Sequence, residues 1–146
     1  MTTGRAPQAG QGVGQPDFFW LNGLAGGDNM YVQTVTALAG GGQVGATVMG
    51  LPNAQGIQAA LIRAKVVNGN DSCQLPQAIK GLCKLVYNSD AANSMNVYAN
   101  PGTNKVTGLT DTINGAANAN AYAIAHNVSV LFFCPDDGIW AAIKSA

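Results

Sequence analysis

The sequence predicts a mainly β protein, an antiparallel β-sandwich or barrel preceded by an extended N-terminal arm. Three observations carry that expectation. Short runs rich in Val, Ile, Tyr, Phe and Thr recur along the chain, and Asn, Gly and Pro clusters separate them. The spacing between runs suits a sandwich or barrel better than alternating strands and helices. The first 16 residues, MTTGRAPQAGQGVGQP, have no periodicity and too little apolar material to fold alone. The expected organisation is an arm over residues 1–27 and a β-rich domain over 28–146.

Within the arm, Phe18, Phe19 and Trp20 stand in sequence beside Leu21. Aromatic side chains dominate interface energetics, so these three are the candidate contacts to a partner surface or a sister subunit. The competing reading is that they cap this chain's own core. Tyr31–Leu38 is β-prone, with Tyr31, Gln33, Val35 and Ala37 on one face and Val32, Thr34, Thr36 and Leu38 on the other. Neither face is cleanly apolar, which points to a strand covered, or paired between subunits, on both sides. Gly40-Gly41-Gly42 ends it, and Ala46–Leu51 reads as a further short strand.

Residues 57–67 fit two periods. Ile57, Ala60, Leu61 and Ala64 share a helical face, whereas Ile62, Ala64 and Val66 alternate as in a strand. The turn signal Asn68-Gly69-Asn70-Asp71 favours a strand from Ile62 to Val67. Downstream, Leu82–Asn88 is an apolar run and Asn96-Val97-Tyr98 a short strand. Asn88-Ser89-Asp90, Asn100–Asn104 and Asn114-Gly115 are turns, since Asn and Gly tolerate positive φ and Pro presets φ. Val128–Cys134 is the strongest strand, with Val128, Val130, Phe132 and Cys134 on one face. Asp136-Asp137-Gly138 turns it into a last strand, Ile139–Ile143.

Composition narrows the function. Of 146 residues 47% are hydrophobic, but only 10% are charged, against about 25% in ordinary domains. All seven acids are Asp, and the formal net charge is zero. Little electrostatic repulsion keeps copies of such a chain apart, which favours assembly. Lys and Arg are scattered without a basic stripe, so nucleic acid is not an expected partner. No apolar stretch approaches a bilayer span, and residues 1–17 do not read as a signal peptide, so a cytoplasmic origin is expected. The sequon Asn127-Val128-Ser129 is discounted accordingly. Cys73, Cys83 and Cys134 lack metal-ligand spacing and read as buried free thiols.

Catalytic patterns fail on inspection. Gly40, Gly42 and Gly45 have dinucleotide-loop spacing, yet Lys65 stands where the acidic partner belongs. Ala46 replaces the lysine that a phosphate loop needs. His126 is the single histidine and has no nucleophile and orienting group in sequence reach. Asp136 and Asp137 fit a turn, with a Ca²⁺ site as the minor alternative. No enzyme, cofactor or metal is expected.

The order of landmarks from Leu75 onward resembles a module of tailed-bacteriophage virion proteins, the capsid decoration (cement) and head-fibre type. The landmarks are Leu75-Pro76, Gly81, Val86 with Asn88, Asn96-Val97-Tyr98, Pro101-Gly102, Ile113-Asn114-Gly115, Phe132-Phe133 and Gly138-x-Trp140. They cover about half of the chain. The insert between Pro101-Gly102 and Ile113 is longer than the pattern. The resemblance implies a non-enzymatic homotrimer on the outer capsid surface, assembled in the host cytoplasm and stapling neighbouring subunits of the major capsid protein. The alternatives are a head-fibre or tail-associated component, or a carbohydrate-binding β-module using Trp140, Tyr98 and Asn100. The reading of Trp140 as a core residue competes with that last one.

Overall fold

A computed structural model of the chain describes residues 31–145 apart from Ile57. The arm and its contact candidates Phe18, Phe19 and Trp20 lie outside the described residues. Among those described, every regular element is a strand: β1 Val32–Thr36, β2 Thr47–Val48, β3 Leu61–Lys65, β4 Asp71–Gln74, β5 Cys83–Asn88, β6 Met95–Tyr98, β7 Thr112–Ile113, β8 Tyr122–Ile124, β9 Ser129–Asp136 and β10 Ile139–Lys144. The mainly β expectation holds. Within the ambiguous 57–67 segment, Leu61–Lys65 is strand and not helix, alternating between outward and buried positions.

The strands form two sheets, one of six strands in the order β1-β3-β5-β9-β10-β7 and one of four in the order β2-β4-β6-β8. The purely antiparallel arrangement expected from the sequence is corrected here. β1, β3 and β5 pair in parallel, as do β2, β4 and β6, and β10 with β7. Only β5–β9, β9–β10 and β6–β8 are antiparallel. The chain crosses from one sheet to the other and back, so each circuit lays a rung on the previous one, as in a β-solenoid. Leu61 stacks beside Leu85 and Asp71 beside Met95, at the same sequence interval. The β9–β10 hairpin, with a register shift between Ile139 and Ala141, then turns back against β5. Parallel rungs need a long connection between partners, and the loops joining the two sheets supply it.

The core lies between the sheets. Val35, Ile62, Ala64, Val86, Val130, Phe132 and Trp140 come from the six-stranded sheet, and Cys73, Met95, Val97 and Ile124 from the four-stranded one. Tyr122 meets Phe132 edge to face, ring centroids 5.5 Å apart. Trp140 is fully buried, and its indole N–H donates to the Pro76 carbonyl at 3.3 Å.

The landmark residues prove to be structural. Asn88 is fully buried and bridges rungs, its amide donating to Asn93 O at 2.9 Å and Ile124 O at 3.2 Å. Asn114 and Gly115 carry φ of 51° and 79°, a tight turn that side chains other than Asn and Gly resist. In the long insert, Asn104 and Asp111 are fully buried and bond to each other at 2.7 Å. Asp111 Oδ2 also accepts from Ala78 N at 2.7 Å, and Asn104 Nδ2 donates to Ala78 O at 2.8 Å. The insert is thereby tied to the segment between β4 and β5.

Candidate interaction surface

Strand alternation gives each sheet an inner face and an outer one. The outer face of the four-stranded sheet is polar, with Ser72, Gln74, Asn96 and Tyr98 at outward positions. It is partly roofed by the glycine-rich loop that follows β1. Leu38 forms an isolated antiparallel bridge with Ser72. Ser72 Oγ donates to Gly42 O at 2.6 Å and Tyr98 Oη to Gly41 O at 2.6 Å. Gln43 Nε2 reaches Ala99 O at 3.2 Å and Asn118 O at 2.7 Å. Gly41 has φ of +74°, and a Cβ there would sit 2.5 Å from Asn70 O. These bonds tether the loop to the sheet, and that is what its glycines serve.

The outer face of the six-stranded sheet is built differently. Val32, Leu61, Leu85, Leu131 and Ile143 are successive register partners across β1, β3, β5, β9 and β10, so five aliphatic side chains form one row across the sheet. Ile143 is 60% exposed, Val32 49% and Leu85 39%; Leu61 and Leu131 are half-buried. On one side the row is continued by Cys83, Phe133 and Ala141. On the other it meets Thr34, Arg63, Tyr87 and Ser129, also in register. Tyr87 Oη donates to Asn127 Oδ1 at 3.3 Å. The strand positions of this face carry Arg63 and Lys65 as their cations, both on β3, and no carboxylate before Asp136 at the hairpin end. The exposed aliphatic side chains on this face stand next to one another in register and are not scattered singly.

Most ionisable groups elsewhere have a structural partner, although among the described residues the Oδ1 atom of buried Asp71 has none. Lys84 is buried with its ammonium donating to Ala59 O at 2.7 Å and more weakly to Gly50 O at 3.5 Å. Burial lowers its pKa, with Cys83 and Cys134 acting in the opposite sense. Cys73 and Cys134 are buried free thiols, both pushed up to about 12, chiefly by desolvation. Cys83 is also free but exposed, which corrects the expectation that all three are buried. Its strand position alternates outward, onto the apolar row. Backbone N–H groups of Ala92 and Asn93, both at 2.7 Å, hold Asp90 below the ordinary carboxylate range. Asp71 Oδ2 accepts from Val67 N and Asn68 N, closing the β3–β4 turn.

The remaining sequence candidates fall apart or fall into place. His126 is exposed in the turn before Asn127. Asp137 Oδ1 accepts from Lys80 N at 2.8 Å, and Asp136 lies 4.0 Å from the Lys80 ammonium. Among the described residues no group of three His, Cys, Asp or Glu is placed to hold a metal ion. Trp140 and Tyr98 are both buried, so they do not form the exposed aromatic platform that a glycan site needs. The apolar row itself escaped the sequence reading. Its signal was present in Val130–Cys134, where inward Val130, Phe132 and Cys134 alternate with outward Leu131 and Phe133, leaving no polar side. Comparison with protein-family models, with curated proteins and with solved structures finds no match to this chain.

Proposed function

We propose that this is a non-enzymatic structural protein of a tailed-phage particle, bound to the outer capsid surface as a homotrimer and stapling neighbouring major capsid subunits. The observation that carries the reading is the apolar row across the six-stranded sheet, on a chain with zero net charge and 10% charged residues. Such a surface is suited to permanent assembly, where area is buried once and held. The ordered landmarks from Leu75 to Trp140 supply the phage context by resemblance, on a scaffold whose described regular elements are all strands. A rigid β scaffold suits a staple, and many copies on one shell raise a modest affinity through avidity. The sandwich or barrel form and the N-terminal arm remain part of this proposal, with Phe18, Phe19 and Trp20 as the arm's shell or sister-subunit contacts. A head-fibre or tail position is the second reading.

Quantitative mass spectrometry of purified particles tests it. About one copy per major capsid chain is the expected result for a cement protein. A handful per particle would shift the assignment to a fibre or tail part. Absence from particles would overturn the virion reading.

A further inference from the structure

The structure assigns Asn68, in the turn between β3 and β4, as a site of spontaneous deamidation, with Asn114-Gly115 as a second Asn-Gly pair that the fold protects. The inference is independent of the phage reading.

The chemistry needs an asparagine followed by a residue whose backbone nitrogen can reach the side-chain amide carbon. Glycine serves best, because no Cβ blocks the approach. The Gly69 nitrogen attacks Cγ of Asn68, and a C–N bond forms. The attacking nitrogen gives up its proton, and the Asn68 side-chain nitrogen leaves as ammonia. Water then opens the cyclic imide at either carbonyl, leaving an aspartate or an isoaspartate. The net change is amide plus water to carboxylic acid plus ammonia.

The two pairs sit in unlike turns. All four residues are exposed, so exposure does not separate them. Restraint does. Among the described residues, neither the Asn68 side chain nor the Gly69 N–H has a hydrogen-bond partner, so both reacting groups are free to turn towards each other. The turn itself is closed by Asp71 N donating to Asn68 O at a long 3.3 Å. Asn114 is held instead. Its Oδ1 accepts from Ala142 N at 2.9 Å, and its backbone N donates to Trp140 O at 2.8 Å. Ile113 and Ala116 bond to each other's carbonyls across that turn. Cyclisation at Asn114 must first free the side chain from β10 and open a turn whose two residues both hold positive φ.

At Asn68 the product bears on the fold. The new carboxylate arises close to Asp71, whose Oδ2 holds Val67 N and Asn68 N and whose Oδ1 is buried and unpartnered among the described residues. Like charges repel, and isoaspartate also lengthens the backbone of the turn. Deamidation therefore loosens a link between the two sheets, β3 belonging to one and β4 to the other.

The test incubates the full chain, folded and in urea, in mildly alkaline buffer and follows conversion by tryptic peptide mapping, with fragment masses locating the change. Residues 66–80 form one tryptic peptide, carrying Asn68-Gly69, and residues 106–144 another, carrying Asn114-Gly115. In the folded chain Asn68 is expected to convert at close to its urea rate. Asn114 is expected to convert at least about tenfold more slowly than in urea, the factor that its holding bonds sustain. Gly69→Ala should keep the fold, since a Cβ there meets only Asn93 Oδ1 at 4.0 Å, and should slow conversion at Asn68 at least about tenfold. Asn68→Asp should speed amide exchange at Val67. Folded-state protection of Asn68 equal to that of Asn114, or a folded G69A chain that converts as fast as the wild type, overturns the assignment. Conversion of Asn114 at its urea rate overturns the protection, and unchanged exchange in Asn68→Asp overturns the loosening.

Discussion

The two sheets of this protein share one core but treat their outer faces in opposite ways. The four-stranded sheet presents hydroxyls and amides, and the chain's own loop lies over part of it, its Gly41 and Gly42 carbonyls accepting from Tyr98 and Ser72 and its Gln43 amide donating to the carbonyls of Ala99 and Asn118. The six-stranded sheet presents aliphatic side chains in a register row. The difference teaches how a sequence divides its interactions. A polar face is satisfied locally, because hydrogen bonds are directional and a tethered loop can be shaped to them. An apolar face needs area rather than direction, and a broad flat sheet is an economical way to offer it to another surface.

The inner faces give an effect that pH alone brings out. One buried thiol lies under each sheet, Cys73 on β4 and Cys134 on β9, and both are pushed from 9.0 up to about 12 by burial. The unfolded chain sheds these protons near pH 9 while the folded chain keeps them. Their contribution is therefore whole below pH 9 and is lost as pH climbs towards 12, at about 1.4 kcal/mol per thiol per pH unit. Lys84 works the other way. Its folded pKa lies below 10.5, so the unfolded state holds that proton more tightly and stability rises with pH up to 10.5. Two losses outweigh one gain, and urea unfolding should show net destabilisation of about 1–3 kcal/mol between roughly pH 8.5 and 10.5. C73A and C134A should each remove about half of the loss. If neither changes the slope, the thiols are not its source.

The roofed face should break next. Gly41→Ala combines a positive φ of +74° with a Cβ placed 2.5 Å from the Asn70 carbonyl oxygen. The loop must shift, at a cost of about 2–3 kcal/mol, and the bonds from Ser72 and Tyr98 go with it. Tyr98→Phe isolates one of those bonds, a 2.6 Å donation to Gly41 O. Its loss should lower stability by about 1–2 kcal/mol and speed amide exchange at Leu38 and Ser72, which bond to each other's carbonyls at 2.8 Å. An unchanged exchange rate would mean that the loop is held without the tyrosine.

Much of this was legible in the sequence, and the failures have physical causes. Val128–Cys134 and Ile139–Ile143 announced the hairpin through alternation and the Asp137-Gly138 turn, and the structure has it at β9 and β10. Trp140 could be read as core or as a binding platform, and it is core. The parallel rungs were hidden because their connections differ in length, so Val32, Leu61 and Leu85 stack without recurring at one interval. Lys84 sits in an alternating run where a lysine ordinarily marks the solvent side. Only tertiary structure reveals that the carbonyls of Gly50 and Ala59 receive it. The row was hidden for a related reason: each strand contributes one or two members, and register alone assembles them.

The smallest expected effect is the sharpest test of the contrast between the faces. Ile143→Thr removes apolar surface from a residue that is 60% exposed, and threonine keeps the β-branched shape that strands favour. In protein dilute enough to be monomeric, unfolding free energy should move by no more than about 0.5 kcal/mol. Tyr98→Phe deletes a single oxygen and should cost more. On raw hydrophobicity the order would be reversed, because an isoleucine side chain carries far more transfer free energy than one hydroxyl contributes in water. The order follows from where each group goes on folding: the tyrosine hydroxyl is committed inside the chain, whereas the Ile143 side chain remains at the surface. Should Ile143→Thr destabilise the monomer by as much as Tyr98→Phe, the row would be part of this chain's own packing, and the distinction between a face satisfied within the chain and a face held for assembly would fail.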